Sequence, residues 1–516
     1  MPGVTEAEVR PRLSPLVWWT AAGVTALLLS TAARYGIFRD ELYYLMCADH
    51  PAWGYVDHPP LAMVFLTAWK AVWGASVPAL RVPPSLLVGA TCLGGGLLAR
   101  ELRGGAAAQV LAAITVGLMP GVLALGGFYS MNAFDVAFWT LTAWIVCRLL
   151  DPAADRRWWW ALGLAVGCGL LNKYSLVFLL VGLGPGLLLS PLRRELRSRQ
   201  VLVGAALAAI LVLPHLVWQV RSGWPTLEFI RNVRQLKNVA MGPADFWHEQ
   251  LLLAHPLFLP VWLVGAVGLL VAPRLRRWRP LGVAFCVVAG WLTVQHGKPY
   301  YLVPAYPLVL PAGAVLITGW LARWRRASRV LAVALPVLAA AGGLLIAPLA
   351  VPLLAPDAYV AYEQTLGLRP RDTEHTRTGS LPQHFADRFG WRELGDTVSA
   401  VAADLDPDER ARCLIVAGNY GECGAVNRRG LPPGVRPAVS GHNSCFTWWP
   451  EDFVPEVVIL VGLGRERAEA LFSEVTLAAV SRSELAMPYE REIPVWVCRG
   501  WKVAPDEARR RARFSI

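Results

Sequence analysis

The stretch YGIFRDELYYLMCADHPAWGYVDHPP, from Tyr35 to Pro60, sets Arg39, Asp40, Glu41, Asp49 and Asp57 together with two histidines beside a strongly apolar run. A carboxylate against low-dielectric surroundings has its pKa raised and becomes a candidate general base, which singles out Asp40 and Glu41. The plainer reading is a charged collar at a membrane boundary, paired with Arg34 or Arg39. Asp57 and His58 precede two prolines, which stiffen the backbone and end any preceding helix. Asp135 lies within the start of another apolar run, where a charge is costly and usually functional. Lys173 and Lys298 stand at further boundaries, and a lysine is a compact charge able to hold a phosphate. Snorkelling to the interface is the alternative for each. Two such lysines, the second within HGKPYYLVPAYP beside Tyr300 and Tyr301, favour an anion site.

The elements that must position these residues are membrane helices. Of the 516 residues, 55% are hydrophobic and only 17% charged, with mean hydropathy +0.42, which is a polytopic membrane composition. Trp18, Trp19, Trp158 to Trp160, Trp320 and Trp324 sit at segment ends, as an interfacial aromatic belt requires. The formal charge of +12 falls in short arginine bursts between apolar runs. A positive-inside bias explains it, and a nucleic-acid partner is excluded on that ground.

Apolar runs fall at about 15–33, 82–100, 107–126, 133–150, 158–171, 174–190, 201–220, 255–272, 281–296, 300–319 and 329–352. A crossing takes roughly 20 residues. The region 158–190 would make roughly 50 Å of helix, so it reads as two short helices with Asn172-Lys173-Tyr174 at the turn. This gives about eleven crossings, the first following Arg10 and Arg12 as an uncleaved helix rather than a signal peptide. With the N-terminus cytoplasmic, the bursts Arg100/Arg103, Arg156/Arg157, Arg193/Arg194/Arg197/Arg199, Arg274/Arg276/Arg277/Arg279 and Arg323/Arg325/Arg326/Arg329 share the cytoplasmic side. The polar segments 34–81, 127–132, 172–174, 221–254 and 297–299 share the other, which points to a site opening outward.

Residues 1–355 read as the membrane domain and 356–516 as an extracytoplasmic α/β domain. There, CLIVAGNY, EVVILVGL and VWVCR read as strands, and WRELGDTVSAVAADL and GRERAEALFSEV as helices. Cys423 and Cys445 lie in Gly-rich loop-like sequence, and an oxidising compartment would permit a disulfide between them.

Taken together, RDELYYLMCADHPAWGYVDHPPLAMVF, GFYSMNAFDVAFW, LLNKYSLVFLL and HGKPYYLVPAYPLVLPAGA resemble bacterial glycosyltransferase family 39, over roughly residues 15–350. That family includes protein O-mannosyltransferases and lipid A aminoarabinose transferases. The resemblance implies a GT-C fold with juxtamembrane helices in the first outer loop. It implies a polyprenyl-phosphate sugar donor and inverting transfer to a protein, lipid or polysaccharide hydroxyl on the outer face of the bacterial inner membrane. By the same resemblance Asp40 is the base, within the acidic pair Asp40-Glu41, and Asp135 matches a second family aspartate. Lys298, with Tyr300 and Tyr301, would bind the departing lipid phosphate; Lys173, Arg39 and His58 complete the candidate phosphate contacts. Where the aminoarabinose branch carries Glu-Lys before the prolines, this chain has Asp57-His58. No obligatory cofactor is expected; a divalent metal would have Asp57 and His248 as its candidate ligands.

A transporter or flippase of lipid-linked or small polar substrates is the alternative. Transporters usually show paired halves and charged residues near mid-membrane on broken helices. This chain shows neither, and its polar groups gather on one face. A bare anchor or sensor has no use for the grouping of Asp40, Asp135, Lys173 and Lys298.

Overall fold

The computed structural model describes residues 10–237, 241–324, 328–369, 377–450 and 453–516. Arg325 and Arg326 of the last arginine burst lie outside the described residues. The chain forms two compact units, one of 1–33, 78–217 and 240–354, the other of 34–77, 218–239 and 355–516. One unit boundary falls at 354/355, where the composition changes. The first outer loop and a stretch of the 221–254 segment share a unit with the C-terminal residues.

In the first unit every apolar run becomes helical, from Pro15–Thr31 to Ser328–Ile346. Among the described residues four helices are long and apolar enough to cross a membrane: Val77–Glu101, Arg199–Arg221, Pro299–Leu321 and Arg329–Leu349. Two further apolar stretches are bent helix pairs. Ala106–Gly117 turns by 57° into Pro120–Gly126, and Pro243–Leu253 turns by 95° into Pro256–Val271. Both bends fall at a proline, which cannot continue the preceding helix. The 158–190 region divides as its length requires, into Trp158–Asn172 and Leu176–Leu188, with Lys173 in extended backbone at φ −156°, ψ 139°.

Lipid offers no hydrophobic drive between helices, so close packing relies on small residues. Leu259–Val271 and Tyr306–Leu321 meet at Gly265 and Gly313. A Cβ added at Gly313 would stand 1.8 Å from the Val261 carbonyl oxygen, so only glycine permits this approach.

The second unit carries a five-stranded sheet of β1 (Cys413–Ala417), β2 (Val439–Ser440), β3 (Val457–Val461), β4 (Phe472–Arg482) and β5 (Glu492–Trp501), in the order β2-β1-β3-β5-β4. β1 runs parallel to β2 and β3; β5 is antiparallel to β3 and β4. Every residue of β1 and β3 is buried, which explains their unbroken apolar sequence. The segment GRERAEALFSEV is helical only over Arg465–Leu471, and from Phe472 it becomes the edge strand β4. In the first outer loop Arg39–Asp49 and Leu61–Trp73 are helices, the second short and apolar.

Helix Tyr420–Arg429 packs on helix Arg39–Asp49. Gly424 makes this possible, since a Cβ there would lie 2.7 Å from the Leu42 Cβ. Cys423 and Cys445 are buried free thiols, and the Cys423 Sγ donates to the Ala438 carbonyl at 3.2 Å, so the permitted disulfide is not formed.

Candidate active site

In the second unit the chemistry gathers on the first turn of Arg39–Asp49. The Phe38 N–H donates to Glu41 Oε2 at 2.8 Å, and Glu41 is 1% exposed. That carboxylate satisfies an N–H left open at the helix start. Glu41 is therefore turned back on its own backbone, whereas Asp40 is only half-buried. The Tyr420 hydroxyl donates to Asp40 Oδ1 at 2.9 Å. Burial pushes the Asp40 carboxyl up, opposed by Lys237, the Tyr420 hydrogen bond and Arg39, with Asp57 adding repulsion.

Arg39 is buried beside it. Its Nη1 donates to the Tyr489 hydroxyl at 2.8 Å, its Nε lies 3.7 Å from Glu490 Oε1, and its guanidinium stands 4.9 Å from the centre of the Tyr420 ring. Arg39 thus directs Nη1 and its charge toward Tyr489 and Glu490 of the C-terminal residues. Tyr43 donates to Asp57 Oδ1 at 2.6 Å and accepts from the Ser444 N–H at 3.3 Å, which pins Asp57. His58 is buried, with Nδ1 2.9 Å from the Pro59 carbonyl and its ring 4.8 Å from Tyr55 and 5.3 Å from Tyr44. The phosphate contact expected of His58 finds no open face there.

The first unit holds a different cluster. Ser130 caps helix Met131–Leu149 by accepting from the Asn132 N–H at 3.2 Å, and this places Asp135 one turn inside. Asp135 is 1% exposed. Its Oδ1 accepts from Ser175 at 2.5 Å, and its Oδ2 lies 3.5 Å from Lys173 Nζ. Lys173 comes from the break between Trp158–Asn172 and Leu176–Leu188, anchored where Asn172 Nδ2 donates to the Met131 carbonyl at 2.9 Å. Its Nζ also donates to Asn132 Oδ1 at 2.7 Å and stands 5.8 Å and 5.5 Å from the ring centres of Tyr300 and Tyr301. Lys298 is half-buried at the start of the 3₁₀ segment Pro299–Ala305 that carries both tyrosines.

Residues named from separate segments, Asp135, Lys173, Tyr300 and Tyr301, therefore come together. Asn132 and Ser175 join them unforeseen, although both lie inside the motifs GFYSMNAFDVAFW and LLNKYSLVFLL. Tyr420, Tyr489 and Glu490 were also unforeseen, and no local signal marks them. Among the described residues no three His, Cys, Asp or Glu side chains form a metal-ligand group, and Asp57 and His248 fall in different units.

The fold is similar to that of a solved GT-C membrane glycosyltransferase. The crystal structure of ArnT from Cupriavidus metallidurans bound to undecaprenyl phosphate matches with a TM-score of 0.60 at 15% identity, covering 93% of this chain and 98% of that one. Its apo form matches with a TM-score of 0.59 over the same shares. Residues 57–218 match the family model described as dolichyl-phosphate-mannose-protein mannosyltransferase. The lipid A galacturonosyltransferase RgtD of Rhizobium johnstonii is 23% identical over 240 residues, 44% of this chain and 49% of the relative. The lipopolysaccharide core galacturonosyltransferase RgtA of the same organism is 26% identical over 200 residues, 38% of this chain and 39% of the relative. The chain thus spans half or less of the curated relatives it matches. Matched segment, relatives and fold together bear out the resemblance to glycosyltransferase family 39.

Proposed function

We propose that this chain is an inverting membrane glycosyltransferase. It moves a sugar from a polyprenyl-phosphate donor to an acceptor hydroxyl on the extracytoplasmic face, with Asp40 as general base. The observation that carries this reading is the setting of Asp40. Its carboxylate is half-buried, raised by burial, and oriented by one hydrogen bond to Oδ1. A base needs a pKa lifted toward the working pH and an oxygen within reach of the acceptor proton.

The step balances as follows. The acceptor hydroxyl gives its proton to Asp40 while its oxygen forms a bond to the anomeric carbon. The bond from that carbon to the phosphate oxygen breaks, and its electron pair leaves with the lipid phosphate. Positive charge at that phosphate stabilises the developing anion. Lys298 is assigned that charge, with the Tyr300 and Tyr301 hydroxyls as neutral donors; Lys173 has its charge balanced by Asp135 and stands over the two rings. The arginine bursts support eleven crossings with a cytoplasmic N-terminus and the sheet-bearing residues outside. The ArnT likeness supports a polyprenyl phosphate carrier, and the galacturonosyltransferase relatives support a lipid acceptor in the cell envelope.

The test uses the full chain in vesicles, with undecaprenyl-phosphate-linked galacturonate, mannose or aminoarabinose as donor probes and lipid A as acceptor probe. Mass spectrometry should find free undecaprenyl phosphate and a glycosylated acceptor with at least one pair. Passage of an intact donor across the bilayer without cleavage of the anomeric bond would instead establish the transporter.

A further inference from the structure

Nothing so far gives the C-terminal residues a part in the chemistry. The carboxylate assigned as base nevertheless receives its hydrogen bond from a residue 380 positions away along the chain. Tyr420 is the first residue of helix Tyr420–Arg429, directly after β1 and the Gly418-Asn419 turn. Asn419 caps that helix, accepting from the Gly421 N–H at 2.8 Å and the Glu422 N–H at 3.0 Å, while Glu422 Oε2 accepts from the Gly418 N–H at 2.8 Å. The turn is thus fixed on both sides.

The ring of Tyr420 is held as firmly. It lies 4.8 Å from Tyr43 and 4.6 Å from His442, and the Arg39 guanidinium stands 4.9 Å from its centre. His442 is itself tied down, its ring 4.3 Å from Phe514 and its Nε2 2.9 Å from the Ile516 oxygen. Glycines at 421 and 424 bring this helix against Arg39–Asp49 closely enough for the hydroxyl to reach Oδ1.

We propose that Tyr420 is the positioning residue for the catalytic base, so that the sheet-bearing residues complete the active site. The inference rests on the reading of Asp40 as base. A hydroxyl donated to a carboxylate favours its charged form and fixes which oxygen stays open for the incoming proton. With Oδ1 occupied by Tyr420, Oδ2 is the oxygen left to take the acceptor proton. The other groups that set the charge of Asp40 are Arg39 on its own helix, Lys237 and Asp57. Tyr420→Phe leaves all three in place and keeps the ring.

The experiment reads the carboxylate itself. Infrared difference spectra between the full chain and its D40N variant in nanodiscs, across pH, isolate the Asp40 C=O stretch. The same difference is then taken in the Y420F background. Loss of the donor disfavours the ionised form, so the Asp40 midpoint should move upward by about one pH unit. The acid limb of sugar transfer should move with it, a roughly tenfold loss of rate below the midpoint with KM little changed. Tyr420→Leu, which also removes the ring, should lower the melting temperature as well; Y420F should not. An unmoved midpoint in folded Y420F would overturn the role of Tyr420 and leave Asp40 as base. Full turnover in D40N would overturn the base itself, and the positioning role with it, whatever the midpoint does.

Discussion

Asp40 and Asp135 are the same residue type in two settings. Asp135 is sealed within the helices, with Ser175 on one oxygen and the Lys173 ammonium 3.5 Å from the other. Asp40 is half-open, and a neutral hydroxyl holds one of its oxygens. A carboxylate already balanced by a half-buried lysine cannot take a proton without stranding that lysine. One raised by burial and held by a neutral donor can. On the proposed reading, the difference leaves Asp135 in a structural pair and gives the proton to Asp40.

Breaking the Asp135–Lys173 pair should give the largest effect on stability. Asp135→Asn leaves Lys173 without its counter-charge and should cost roughly 3–5 kcal/mol in thermal unfolding. Asp135→Asn combined with Lys173→Met should recover much of that loss, as expected for a coupled pair. Asp40→Asn should unfold close to the unmodified chain. Equal destabilisation by both aspartate variants would erase the distinction.

A smaller effect should follow from Gly424→Ala. Its Cβ would press within 2.7 Å of the Leu42 Cβ and push helix Tyr420–Arg429 off helix Arg39–Asp49. Overpacking of this kind costs about 1–3 kcal/mol. Denaturant midpoints and the Asp40 titration should shift together in this variant.

The smallest effect is in pH dependence. Burial pushes the Glu490 and Glu422 carboxyls above the ordinary range, Glu422 to about 7. A raised carboxyl binds more protons folded than unfolded, so its contribution is greatest at acid pH. It is lost as pH rises from about 4.5 to about 7. His442 works in the opposite sense, because burial lowers it to about 3 and its contribution is lost as pH falls below 6.5. Glu490→Gln isolates one side of this balance. Its unfolding free energy should gain on the unmodified chain between pH 5 and 7, by at most about 1.4 kcal/mol per pH unit, read by denaturant titration. Parallel curves would show that Glu490 stays ionised.

Much of the membrane unit was legible because apolar runs of fixed length have few alternatives to helix in lipid. Lys173 at a turn followed from the excess length of 158–190, and the structure adds that the break aims it at Asp135. Glu41 was readable too: an acidic residue at the third position of a helix is a capping signal. It was outweighed by its place beside Asp40. The strand β4 escaped because ALFSEV has helical spacing, although the backbone becomes an edge strand from Phe472, whose ring is buried. Tyr420 was beyond reach, since no local pattern shows that a tyrosine after β1 will meet a carboxylate in the first outer loop.

The central claim is tested most directly by single-turnover transfer with the purified Asp40→Asn variant, with binding of undecaprenyl phosphate measured in parallel. The account predicts a fall in transfer of roughly 10²–10⁴-fold with lipid phosphate binding retained. Transfer at the unmodified rate would contradict it.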